Sequence, residues 1–234
     1  MPERVDERAE PYYRALGTGL RFSLGNRPVR LIVISTALIN FGLAMGSAVE
    51  TIYYVRTLEM SAPEIGVVLM CIGIGGLAGT LIGPIINKSL GERVAFRTVT
   101  IAMVPVVAIL PLIAGFGRFA YVAVAAQGML YAVLVVVYNV NSYSLTSRLT
   151  PRSLIARQMS FLGFAGMGVV PIASLLGGFT GTAIGAVSTL WIWVGISVLA
   201  VIPTLALPDV RAPQEGGAIP AEDAATEDST RSAS

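Results

Sequence analysis

The chain contains no histidine and one cysteine, Cys71. Without histidine it lacks the commonest metal ligand and the usual general base. A single thiol forms neither an intramolecular disulfide nor a cysteine-based metal site. No Walker motif, glycine-rich nucleotide loop or nucleophile–base constellation appears. The expectation is therefore a protein with no cofactor, no metal and no enzymatic activity. Charge is also scarce: Asp, Glu, Lys and Arg make up 13% of the chain, against about 25% in soluble domains. So little charge cannot coat a water-facing globule. The net charge of +2 gives no argument for nucleic acid, and none is expected as a partner. Residues 1–27 carry five arginines and four acids and no apolar core, unlike a secretory signal peptide.

What the chain has instead is long uncharged runs, and a mean hydropathy of +0.73. About 20 apolar residues cross a bilayer as a helix. Leu31–Val49, Ile65–Ile86, Thr98–Gly117, Phe119–Ser147 and Gln158–Pro208 meet that length. The last is long enough for two spans, and the cluster Gly177, Gly178, Gly181 and Thr182 is the expected break. The reading is an all-α, six-helix transmembrane bundle with spans near 30–55, 64–86, 97–116, 119–145, 156–179 and 183–206. Thr150-Pro151 reads as an N-cap and first-turn proline opening the fifth span. Pro105, Pro111, Pro171 and Pro203 interrupt their helices.

The basic residues set the expected orientation. With the N-terminus inside, Arg4, Arg8, Arg14, Arg21, Arg27, Arg30, Lys88, Arg93, Arg97, Arg148, Arg152, Arg157, Arg211 and Arg231 are cytoplasmic. That is fourteen of sixteen, leaving Arg56 and Arg118 outside. Both termini then lie in the cytoplasm of a cell with the bundle in its inner membrane. Residues 1–29 read as an amphipathic lead-in on the inner membrane surface, with Tyr12, Tyr13, Leu16, Leu20 and Phe22 among arginines. Residues 30–207 form the membrane domain. Residues 208–234 are rich in Ala, Ser, Glu and Asp and read as a disordered cytoplasmic tail.

Three features stand out within the spans. Gly75, Gly79 and Gly83 repeat every four residues, a stripe for close helix packing or for a moving contact between bundles. Gln127, Tyr131, Tyr138 and Asn141 share one helical face, available for interhelical hydrogen bonds or for lining a cavity. Glu50 is the acidic residue inside an uncharged span, with Ser47 and Tyr54 on its face. Three roles are open to it: pairing with water or Arg56 near the interface, selecting cationic substrates, or coupling transport to protons.

Several segments resemble one family. Val137-Tyr138-Asn139-Val140-Asn141, Ser144-Leu145 and Thr150-Pro151-Arg152-Ser153-Leu154-Ile155-Ala156-Arg157 resemble the tenth helix and following loop of major facilitator superfamily exporters. The nearest group resembles bacterial drug and siderophore exporters of the enterobactin-exporter type. Gly19-Leu20-Arg21-Phe22 with Asn26-Arg27-Pro28-Val29-Arg30 is similar to that family's lead-in to helix seven. Tyr54-Val55-Arg56 with Ser61-Ala62-Pro63-Glu64-Ile65-Gly66 is similar to its loop between helices seven and eight. Lys88-Ser89-Leu90-Gly91 looks like a reduced form of its basic loop. Gly168-Val169-Val170-Pro171, closing with Gly177-Gly178, is similar to its helix eleven.

The resemblance implies the C-terminal half of a twelve-helix transporter, performing proton-coupled efflux of an amphiphilic small molecule. The expected cavity lining is Asn40, Ser47, Glu50, Gln127, Tyr131, Tyr138 and Asn141, with Glu50 as the proton-coupling candidate. In that family the substrate site lies between two bundles. The expected partners are therefore the lipid bilayer, the small-molecule substrate, and either a separate N-terminal six-helix half or a second copy of this chain. Met1 falls where the family's central loop would lie, which also leaves open a truncated remnant or an accessory subunit that transports nothing.

Overall fold

A computed structural model describes residues 12–115 and 120–208, with side chains from residue 17. Residues 1–11, Arg118 and the acidic tail beyond residue 208 lie outside the described residues. The described fold is all-α. Helix α1 is Tyr12–Gly25, α2 Arg27–Arg56, α3 Ala62–Leu90, α4 Glu92–Leu112 and α5 Ala120–Leu149. They are followed by α6 Ile155–Gly168, α7 Val170–Ala183 and α8 Ala186–Leu205. Six spans are long and apolar enough to cross a bilayer: α2, α3, α4 with its short 3-10 extension to Gly115, α5, Arg152–Ala183, and α8. This is a multi-pass membrane protein. Its outer surface agrees: Leu77, Leu81, Met167 and Leu175 are all at least 70% exposed, as lipid-facing side chains are.

The fifth span is broken where its proline sits. Val169 joins α6 to α7. Pro171, in the first turn of α7, has no N–H to continue the ladder of α6. Pro105 and Pro203, by contrast, lie within continuous helices. The expected break at Gly177–Thr182 is not there. Helix α7 runs through it and ends at Ile184–Gly185, where Gly185 has a φ of 89°. Such a left-handed conformation suits glycine. Thr150 does not cap the fifth span either. Its Oγ1 donates backward to the Thr146 carbonyl at 2.7 Å, which satisfies the end of α5 instead.

Gly177 and Gly181 have another use, which explains why they stay helical. A Cβ on Gly177 would run into the backbone of Met45, and one on Gly181 would stand 2.5 Å from Cγ1 of Val49. The same arrangement occurs between α3 and α5. A Cβ on Gly75 would run into the backbone of Met129, and one on Gly79 would stand 2.9 Å from Cβ of Val136 and 3.1 Å from the Val133 carbonyl. The sequence itself repeats here. Gly75-Gly76-Leu77-Ala78-Gly79-Thr80-Leu81-Ile82-Gly83 and Gly177-Gly178-Phe179-Thr180-Gly181-Thr182-Ala183-Ile184-Gly185 agree at six of nine positions. Spans two and five cross the bilayer in opposite directions, so the unit occurs twice with inverted topology. Each copy lets α3 or α7 approach a central helix at backbone distance. The central helices are α5 and α2.

Polar groups tie the bundle together at the α1 and loop end. Ser23 of α1 and Gln158 of α6 are both buried and hydrogen-bonded, Gln158 Nε2 donating to Ser23 Oγ at 2.8 Å. A Cβ on Gly19 would be 2.6 Å from Cβ of Phe161. Helix α1 therefore packs one face against α6 and leaves Leu20, Arg21 and Leu24 exposed. Arg97 donates to the carbonyls of Thr204 (3.0 Å), Leu205 (2.9 Å) and Leu207 (2.7 Å), and Arg93 also donates to Leu207. The Thr204 and Leu205 carbonyls lie in the last turn of α8 and Leu207 just beyond it, where carbonyls lack the regular donor four residues on. Arg148 and Glu92 join α5 to α4 at 2.9 Å.

Candidate functional site

The two central helices bring the chemistry together. A cleft of about 340 Å³ lies between α2, α3 and α5. Ser47, Glu50 and Tyr54 line it from α2, Ile72 and Gly76 from α3, and Gln127 and Tyr131 from α5. Trp193 of α8 closes one wall, and Leu43, Val135 and Val136 make much of the rest apolar. Four expected cavity residues, Ser47, Glu50, Gln127 and Tyr131, thus border one space.

Glu50 and Gln127 are the carboxylate and the amide of this cleft's lining. Gln127 is buried and Glu50 half-buried. Neither has a hydrogen-bond or ion-pair partner among the described residues. Arg56 is exposed and forms no ion pair with Glu50. Of the three roles open to Glu50, pairing with Arg56 is therefore absent from this structure. Buried or half-buried polar groups ordinarily find partners. These two face a space that an occupant can fill.

The aromatic walls are held in place from behind. Trp193 is 1% exposed and lies in a notch on α2. A Cβ on Gly42 would stand 2.6 Å from its Cδ1, and one on Gly46 would overlap the indole. Tyr131 meets the indole edge-on, with centroids 5.4 Å apart and planes at 89°. Large rings fixed by packing lose little further freedom when a ligand binds. Trp193 was not among the sequence candidates. The spacing of Gly42 and Gly46 on one face of α2 is the signal that a large ring lies opposite.

Tyr138 and Asn141 do not line the cleft. Tyr138 donates to Ser35 Oγ at 3.0 Å, and its hydroxyl lies 3.1 Å from Thr36 Oγ1, which in turn lies 3.1 Å from Ser142 Oγ. Ser35 donates to the Ala200 carbonyl at 3.2 Å. The phenol of Tyr138 also stacks on Phe96, with centroids 5.0 Å apart. This is a buried polar layer joining α2, α5 and α8. Asn141 is fully buried and donates to the Val137 carbonyl of its own helix at 2.8 Å. Its Oδ1 has no donor among the described residues. Asn40 donates to the Thr36 carbonyl at 2.9 Å and borders a second hollow with Ser47, Val170 and Ser174, between α2 and α7. Ser47 touches both spaces.

Gly75 and Gly79 approach α5 closely, at Met129 and at Val133 and Val136. Gly83 is buried too, but a Cβ there would meet Val137 Cγ2 at an ordinary 3.6 Å.

No group of three or more His, Cys, Asp or Glu that could hold a metal occurs among the described residues. No family model, curated protein or solved structure matches the chain. The likeness to major facilitator exporters rests on the segments quoted above.

Proposed function

We propose that this chain is one six-helix half of a secondary transporter of the major facilitator type, exporting an amphiphilic small molecule in exchange for protons. The observation that carries this reading is a pair of polar groups, Glu50 and Gln127, without partners among the described residues and bordering one largely apolar cleft. An amphiphile needs both surfaces. A carboxylate without a fixed partner can hold a proton in one state and release it in another, as coupled transport requires. The inverted repeat of the glycine-rich segment supports the reading further, since transporters of this kind are built from such repeats. The proposed setting is the inner membrane with both termini cytoplasmic. The reading calls for a second six-helix bundle opposite this one.

A non-transporting accessory role is the second reading. It is favoured by the fact that the described residues form a single bundle, with no second bundle to rock against. Reconstitution separates the two. Purified protein in liposomes with a proton gradient is expected to move an amphiphilic dye and protons together, and Glu50→Gln to stop both. Failure of the folded chain to move either, as monomer, as dimer or with any six-helix half found beside it, would leave the accessory role.

A further inference from the structure

We infer that the corner between α1 and α2 docks on anionic phospholipid, with Arg21, Arg27 and Arg30 as donors to the headgroup phosphate and Leu20 and Leu24 seated at the edge of the acyl chains. This surface is separate from the cleft and holds whether or not the chain transports.

The depth of α1 is set by what it packs against. Gly19 lies against the Arg157 carbonyl and Phe161, and Ser23 bonds Gln158. These partners belong to the first two turns of α6, which begins at Ile155. Helix α1 ends at Gly25 and α2 begins at Arg27, across the extended backbone of Asn26. Helix α1 therefore lies at the level where spans one and five enter the bilayer.

The face turned away from α6 carries two kinds of side chain. Leu20 and Leu24, one turn apart, are 44% and 56% exposed. Arg21 is exposed beside them, and Arg27 and Arg30 are exposed at the start of α2. Basic residues that serve only to orient a span do not require leucines presented next to them. Apolar and basic side chains side by side at this depth suit the boundary between acyl chains and headgroups.

Charge selects the headgroup. Among the residues whose side chains are described, this end of the bundle carries nine Lys and Arg and one acid, Glu92, whereas the other end carries Arg56 with Glu59 and Glu64. A positive rim attracts anionic lipid, and a guanidinium binds phosphate through paired N–H donors. Arg30 uses Nη1 on the Leu24 carbonyl at 2.9 Å. That bond fixes it at the corner and leaves the other N–H groups of an exposed guanidinium for phosphate.

Native mass spectrometry of the full chain in detergent, titrated with phosphatidylglycerol or phosphatidylcholine, tests this. Phosphatidylglycerol should bind at least about fivefold more tightly. Arg21→Gln/Arg27→Gln should weaken it by about tenfold, while Arg21→Lys/Arg27→Lys, which keeps the charge, should stay within about threefold. Lys88→Gln, on α3 at the same end, should change it less than about twofold. An unchanged melting temperature in Arg21→Gln/Arg27→Gln assigns the loss to the surface. Equal binding of the two lipids, full phosphatidylglycerol binding by folded Arg21→Gln/Arg27→Gln, or as large a loss from Lys88→Gln overturns the inference. Displacement of the lipid by millimolar inorganic phosphate also overturns it, by marking a free-anion site. So does severalfold tighter lipid binding after removal of residues 209–234, which would make that acidic segment the occupant.

Discussion

Tyr131 of α5 stands edge-on to Trp193 of α8, centroids 5.4 Å apart, although the two helices are separated in sequence by the whole fifth span. The contact exists because α2 has no side chain at Gly42 or Gly46, where the indole enters. Adding one methyl at Gly46 is expected to push Trp193 out of the notch. Overpacking of this kind costs about 1–3 kcal/mol. Gly46→Ala should lower the melting temperature in detergent and reduce the near-ultraviolet dichroism of the indole. Gly195→Ala, on the same helix as Trp193 with open space around it, should do neither.

The glycine stripe of α3 should respond unevenly. Gly75→Ala meets the backbone of Met129 and Gly79→Ala meets Val136, whereas Gly83→Ala makes ordinary contact. The first two are expected to destabilise the fold by about 1–3 kcal/mol. The third should be neutral or slightly stabilising, since alanine favours a helix over glycine by about 1 kcal/mol. Steric-trap unfolding in bicelles would rank them, and an equal loss at all three would contradict the graded packing described here.

The polar layer around Tyr138 should matter for stability and not for ligand. Tyr138→Phe removes the hydroxyl that lies between Ser35 and Thr36. Hydrogen bonds between membrane helices are worth about 0.6 kcal/mol on average and reach about 1.7. A loss in that range is expected, with proton-coupled dye flux in liposomes unchanged. A large change in flux would place Tyr138 in the site.

Orientation can be read with the chain's own cysteine removed. In a Cys71→Ser background, Arg56→Cys is expected to react with a membrane-impermeant maleimide added to intact cells. Lys88→Cys should react only after permeabilisation. Both positions are exposed, so access depends on the side of the membrane alone. The reverse pattern would invert the proposed topology.

The spans were legible because their signal is local: length and lack of charge mark a bilayer crossing without knowledge of its neighbours. The grouping of Ser47, Glu50, Gln127 and Tyr131 was legible too, since residues at helical spacing must share a face. Depth was not. Gln127 and Asn141 share a face, yet fourteen residues of helix separate them by about 21 Å along the axis. A facial pattern alone therefore could not show that Tyr138 and Asn141 sit in a packed polar layer beyond the cleft. The glycine-rich cluster at Gly177–Thr182 misled for a related reason. In water such a cluster ends a helix, whereas in a bilayer bundle it admits a neighbouring backbone. Only its likeness to Gly75–Gly83 reveals that use. Trp193 shares an apolar helix with the exposed Trp191, and nothing in α8 itself tells which of the two is buried.

The inverted repeat makes Met45 the counterpart of Met129 and Val49 that of Val133, each 84 positions apart. By the same step Glu50 corresponds to Leu134, and Tyr131 to Ser47. The two central helices are thus alike where they carry the glycine contacts and unlike where they border the cleft. The α2 side of the cleft carries a carboxylate; the α5 side offers an amide and a phenol without charge. The cavity is therefore asymmetric, although the glycine contacts that frame it repeat.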